Sequence, residues 1–489
     1  MENKIPEAWN KFILKDVTFM NLMMRRIYNV LIVANPYDAF MLEDDGQKKK
    51  KIYNEYMELG LRYPPTFTQV STIEEAERVL GTMQIDLVIC MPGNADNDAF
   101  TVARAIKSVF PDIHYIVLTP FSHGITNRMQ DEDLSIFDYV FCWLGNTNLI
   151  LSIIKLMEDK MNLEHDVQEA GVQMILLVED SIRFYSSILT NLYSFILQQS
   201  KNFATEALNP HSATLRMRGR PKVVLARTYE EAMLIYERYK NNCLGVISDV
   251  RFPIKSTRQS DIVGAGASSV EKDPEAGFKL LEAIRKEDEY VPLIMESSES
   301  SKRERAEAEG FKFVDKNSKV LSLDLRHLLE EHMGFGDFIF RNPKTHEEIM
   351  RVRSLKELQD NIFKIPSDSM LYHISRNHIS RWLCARAIFP VSNFLKHVTW
   401  HQLQDVEAHR QIIFDAIVQY RHMKNIGVVA VFDRDKFDRY AHFARIGEGS
   451  LGGKGRGLAF LDNVIKLHPE FDNFDGVKVQ IPKTVVLCT

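Results

Sequence analysis

The sequence predicts an α/β protein carrying two doubly wound, five-stranded parallel sheets. Three observations lead there. From Tyr28 onward, short β-rich apolar runs alternate with segments of helical period. The runs are continuously apolar, as in strands covered on both faces by helices. The rhythm then occurs a second time, after about 150 residues, so the chain holds two copies of one architecture.

Taken in order, residues 1–27 read as an amphipathic helix with Trp9, Phe12, Ile13, Phe19 and Leu22 on its apolar face, suited to packing or to forming a homodimer. In the first copy, strands are expected at 28–34, 65–71, 85–90, 113–119 and 137–142. Helices are expected near 37–60, 73–82, 97–109, 122–131 and 147–161. The charged stretch 157–171 reads as a linker. The second copy has strands at 173–179, 221–227, 244–249, 291–296 and 311–315, with helices near 181–199, 229–240, 275–286, 301–309 and 318–332. Two inserts mark this copy. Residues 253–274 form a Gly/Ser-rich polar loop, and residues 201–222 are locally basic, either a solvated loop or a surface for an acidic partner. Residues 336–440 lose the βα rhythm and read as a helical connector.

Bulk properties narrow the function. The 489 residues are 45% hydrophobic and 26% charged, with a net charge of −5, so no basic excess points to nucleic acid or an anionic membrane. The five cysteines are scattered, with no CxxC pair, which argues for a reducing compartment. No signal peptide and no apolar run of about 18 residues is present, so a cytoplasmic location is expected.

In a doubly wound sheet, function gathers at the carboxyl ends of the strands. In the second copy those ends hold Glu179 and Asp180, Asp249, Ser297 and Lys316. Converging carboxylates repel one another and favour a divalent cation, and hard oxygen ligands suit Mg²⁺. Asp249 is then a nucleophile able to form an acyl phosphate, with Glu179, Asp180 and Asp249 as metal ligands. Ser297 and Lys316 each serve a phosphoryl oxygen.

These residues resemble the response-regulator receiver family, so the sheets are expected to be flavodoxin-like. Pro253 fits the family's D-x-x-x-P turn, Gly277 resembles the glycine that begins the next helix, and Phe313 stands where the family has its aromatic switch. Asn317 replaces the family's usual cis proline. The resemblance implies a histidine kinase or phosphotransfer protein as partner. It assigns 171–335 to a phosphoacceptor receiver and 28–160 to a degenerate one: the first copy has Ala34, Asn35 and Pro36, then Met91, Thr119 and Trp143–Leu144, at the corresponding places, with Asp38 as a lone acid.

Near the end, six glycines fall within residues 447–457, ahead of an amphipathic helix. Bare backbone N–H groups and a lysine at a helix N-terminus favour phosphate, although a hinge has the same composition. GGKGRGLAFL (452–461) with IPKTVVLCT (481–489) resembles the opening of the ATP-grasp domain of phosphoenolpyruvate synthase and pyruvate, phosphate dikinase. This implies ATP binding through Gly452, Gly453, Lys454 and Gly455, and assigns 441–489 to the start of a nucleotide-binding domain cut short at Thr489. The combined expectation is the regulatory part of an ATP-dependent phosphotransferase acting on pyruvate, not itself catalytic beyond self-phosphorylation. A signalling adaptor and a DNA-binding response regulator are the alternatives.

Overall fold

The computed structural model describes residues 19–43, 47–58, 63–92, 99–119, 136–143, 145, 148–255, 272–398, 400, 405–425, 428–432, 434, 440–472, 474–477 and 479–488. The expected N-terminal helix up to residue 18, the expected helix at 122–131 and the core of the 253–274 insert lie outside the described residues.

The first repeat supplies β1 (Asn29–Val33), β2 (Thr66–Val70), β3 (Leu87–Cys90), β4 (His114–Thr119) and β5 (Tyr139–Cys142), all parallel, in the order β2-β1-β3-β4-β5. The second supplies β6 (Met174–Val178), β7 (Lys222–Ala226), β8 (Cys243–Asp249), the short β9 (Phe252–Pro253) and β10 (Lys272–Asp273), then β11 (Leu293–Ser297) and β12 (Lys312–Asp315). Its parallel sheet runs β12-β11-β8-β6-β7, the same order within the copy, while β9 and β10 pair antiparallel as a separate ribbon. The two sheets are thus flavodoxin-like, and each has its switch point at the carboxyl ends of its first and third strands. Local sequence explains the regularity. Strands such as MILLV are buried throughout. The helix after the second strand opens in both repeats with a capping box, in which Thr72 and Thr228 accept from Glu75 N and Glu231 N, and the two glutamates accept from Ser71 N and Arg227 N. The expected helix near 37–60 is two helices, Pro36–Glu43 and Gln47–Glu58.

Both repeats belong to one compact unit, Asn21–Gln198 with Arg220–Met333. Within it, the expected linker at 157–171 is corrected: one continuous helix runs Asn148–Ala170, and its Lys155, Glu158, Asp159 and Asp166 are buried. Each finds a partner, as buried charge requires. Arg220 grips Asp159 bidentately at 2.8 and 2.9 Å, Lys222 Nζ lies 2.9 Å from Asp166, and Lys155 Nζ lies 3.1 Å from Glu158. Tyr56 from the first repeat donates to Glu158 at 2.6 Å, and Tyr193 from the second donates to Asp159 at 2.9 Å. The outer edge of β5 is closed by the helix Ile182–Ala204: Tyr185 donates to Val140 O, and Cys142 N donates to Ser186 Oγ.

The second unit draws its described residues mainly from Gln199–Gly219 and Gly334–Thr489. The basic insert at 201–222 is therefore neither a solvated loop nor a free basic surface. It contains a helix, Pro210–Arg218, capped by Asn209, and Arg216 donates to Arg386 O at 2.9 Å. Two of its other basic groups, Arg220 and Lys222, are those consumed by Asp159 and Asp166. The stretch 336–440 is not wholly helical. It opens with an antiparallel hairpin, Phe338–Arg341 with Glu348–Val352, followed among the described residues by five α-helices that share a core around Phe340, Leu358, Trp382 and Ile417. A small parallel sheet follows, formed by Ala430–Val431, Phe443–Ile446 and Thr484–Leu487, with the helix Gly452–Leu467 between its last two strands. Among the described residues, no helix is long and apolar enough to cross a membrane.

Candidate functional site

Four strand ends of the second sheet place the expected residues together. Glu179 and Asp180 follow β6, Asp249 ends β8, Ser297 ends β11 and Lys316 follows β12. Glu179, Asp180 and Asp249 each turn one oxygen into a space where all three oxygens lie within 4.8 Å of one another. Lys316 Nζ sits 2.7 Å from Asp249 Oδ1 and also bonds Glu179 Oε2, with its ammonium over the Phe184 ring at 4.6 Å. Its backbone N–H donates to Ser297 O at 2.9 Å, which fixes the lysine beside the hydroxyl strand. Ser297 Oγ accepts from Glu299 N at 3.0 Å, so its own proton is available to another acceptor.

The flanking residues of the family pattern have visible jobs. A Cβ on Gly277 would fall 2.1 Å from Asp249 O and 2.8 Å from Val250 Cα. Only glycine lets this helix start pass so close to the acceptor strand. Pro253 lies in the ribbon with Lys272. Phe313 is buried, with the Arg303 guanidinium over its ring at 4.9 Å. At Asn317, where the family has proline, the side chain donates to Ser298 O at 2.9 Å and the backbone N–H donates to Asp315 Oδ1 at 2.8 Å. The amide thus ties the loop after β12 to the loop after β11.

Two further groups enter the pocket. Glu296, in the apolar strand β11, is 1% exposed, and burial raises its carboxyl well above the usual range against the pull of Lys316. A lone acid inside the run VPLIME is the sequence signal for it. Lys272, at the end of the 253–274 insert, reaches Asp180 Oδ2 at 2.5 Å; nothing in its sequence neighbourhood marks it.

The electrostatics are those of a site short of positive charge. Burial pushes the Glu179 carboxyl up to about 7, with Lys316 opposing and Asp249 adding to the shift. Burial likewise raises Asp180, against the bond from Lys272. Burial works against the Lys316 ammonium, yet Glu296, Glu179 and Asp249 together raise it above its ordinary value. Asp180 Oδ1 and Glu296 Oε1 are buried with no hydrogen-bond partner among the described residues. Close carboxylates with orphaned oxygens make a donor set that suits a hard, oxygen-seeking divalent cation.

The equivalent places in the first repeat hold Asn35, Met91, Thr119 and Trp143. Asn35 and Asp38 bond one another at the start of the helix Pro36–Glu43, at 2.7 and 2.8 Å, so the lone acid there is a helix-capping partner. At the glycine cluster a strand precedes the loop: Phe443–Ile446 leads through Gly447 (φ 96°) to Gly452 (φ 68°), where the helix begins. Gly452, Gly453 and Lys454 are exposed in its first turn, whereas Gly455 is buried against Val486.

No family model matches the chain, and no curated protein matches it. Solved structures do match. Two of them, each described as a two-component system response regulator/GGDEF domain protein, are 15% identical, with 62% of this chain and 98% of the other covered and a TM-score of 0.25.

Proposed function

We propose that residues 171–335 are a receiver module in which Asp249 accepts a phosphoryl group from a histidine kinase or phosphotransfer protein, with residues 28–160 as a receiver that has lost this chemistry. The observation that carries the reading is the meeting of Glu179, Asp180 and Asp249 within 4.8 Å, with Lys316 2.7 Å from Asp249. Glu179, Asp180 and Asp249 would hold Mg²⁺, which would offset the negative charge of the pocket and the incoming group. An Asp249 carboxylate oxygen bonds to phosphorus as the donor's P–O or P–N bond breaks, and the leaving group keeps that electron pair. Lys316 offsets charge building on one phosphoryl oxygen, and the Ser297 hydroxyl donates to another. The test is labelling of the chain by a small acyl-phosphate donor with Mg²⁺. Wild type should form an alkali-labile acyl phosphate and Asp249→Asn should not; equal labelling of the two would sink the assignment.

A finer reading rests on the strand, glycine loop and exposed Lys454 at the opening of the helix Gly452–Leu467. In it the chain is the regulatory part of a phosphoenolpyruvate-synthase-like phosphotransferase. Gly452, Gly453, Lys454 and Gly455 contribute to an ATP site, and pyruvate is the acceptor in the full-length enzyme. Binding of ATP to a longer chain, weakened at least tenfold in Lys454→Ala, supports this over a purely signalling adaptor. ATP binding indifferent to that substitution removes it.

A further inference from the structure

The insert that sets the second repeat apart ends in the β9–β10 ribbon, and β10 carries Lys272. Its backbone is held by pairing with Pro253, four residues after Asp249, so the segment that follows the acceptor strand anchors the lysine. The pocket's cations divide its carboxylates between them. Lys316 bonds Glu179 and Asp249, whereas the Asp180 carboxylate is left to Lys272, at 2.5 Å. The other Asp180 oxygen is buried without a hydrogen-bond partner among the described residues. The Lys272 side chain is 40% exposed, against 2% for Lys316, so its ammonium can pass into water while that of Lys316 stays.

We propose that Lys272 is a tethered cation occupying the Asp180 position of the divalent-ion site, and that a divalent cation binds there by exchange with the Lys272 ammonium. The proposal rests on the receiver reading of the pocket and adds a regulatory element to it. A cation held on the same backbone is present at high effective concentration, so it raises the metal level at which the site fills. Metal binding and release of Lys272 are then two sides of one equilibrium, and whatever biases the β9–β10 ribbon biases the readiness of Asp249. Lys272 is a positioning residue in this account: it acts on the metal and never on phosphorus.

The experiment is titration of the full chain with Mn²⁺, followed by the loss of the free-ion paramagnetic signal, and with Mg²⁺ by calorimetry. Lys272→Met should bind about tenfold more tightly than wild type, and Lys272→Arg, which keeps the tethered charge, should stay within about twofold of it. Adding Asp180→Asn to both wild type and Lys272→Met should abolish the difference between them. Acyl-phosphate labelling is run on the same samples. If Asp249 is labelled while Lys272→Met leaves divalent affinity unchanged or lower, the exchange is overturned and the receiver reading stands. If neither wild type nor Lys272→Met binds a divalent ion or is labelled, both fall together.

Discussion

At the carboxyl ends of the two sheets, the backbone is cross-linked in the same way. Ala34 N bonds Val70 O as Glu179 N bonds Ala226 O, and Trp143 N bonds Thr119 O at 2.7 Å as Lys316 N bonds Ser297 O at 2.9 Å. In the parallel register, Val33 faces Cys90 as Val178 faces Ser248, so Met91 stands where Asp249 stands. At these strand ends the backbone therefore aligns residue by residue, and the side chains diverge: Asn35 for Asp180, Met91 for Asp249, Trp143 for Lys316. The difference shows that one strand framework tolerates different side chains at its carboxyl ends, a helix-capping Asn35 in one copy and a carboxylate cluster in the other. The first repeat carries apolar or neutral groups at positions where buried charge would cost stability, and its described strands keep the same order and register.

The comparison can be broken most decisively by moving the acceptor. In an Asp249→Asn background, Met91→Asp is expected to restore no acyl phosphate, because Asn35 and Trp143 give the new carboxylate neither a metal partner nor a cation. Labelling of the first repeat would show that its scaffold alone suffices. Next in size is Lys316→Met, which strips three buried or half-buried carboxyls of their shared cation. It should lower unfolding stability by about 3 kcal/mol in urea titrations, the scale for breaking a buried charge network. A comparable loss from Trp143→Met would mean that the position, and not the charge, is what matters.

The third prediction concerns pH. The folded-state value of Glu179 is raised from 4.5 to about 7, so its contribution to stability is fully present below pH 4.5 and is lost as pH rises through 7. Over that window, wild type should lose about 3 kcal/mol relative to Glu179→Gln in metal-free buffer, measured as the difference in their unfolding free energies. A difference that does not change with pH would contradict it. No such pH effect is expected from Ala34 in the first repeat. The smallest effect sharpens the likeness: Thr72→Ala and Thr228→Ala should each cost about 1 kcal/mol, since both remove the same cap, and a marked inequality would mean that the two scaffolds are not equivalent.

Much of the fold was legible in the sequence, because continuous apolar runs such as LVIC and MILLV admit little other than buried parallel strands. The strand-end residues Glu179, Asp180, Asp249, Ser297 and Lys316 were legible too, since topology alone brings strand ends together. What escaped depended on distant partners. Glu158, Asp159 and Asp166 read as part of a charged linker, because their partners Tyr56, Tyr193, Arg220 and Lys222 lie far along the chain. The basic look of 201–222 misled for the same reason. Lys272 was hidden because its ion pair with Asp180 depends on the pairing of β10 with β9, which periodicity does not report.

The continuous helix Asn148–Ala170 has a consequence for the engineering of the chain. The first repeat is built into the interior of the unit it shares with the second. Here its Tyr56 satisfies a buried acid on the shared helix, and its β5 edge is sealed by the helix that leaves the acidic pocket two residues after Asp180. Cutting the chain where its composition invites a boundary, between 160 and 171, would bare a row of interior charges and an open strand edge. The first repeat is thus a structural wall of the second, and the two are separable only at the cost of that shared interior.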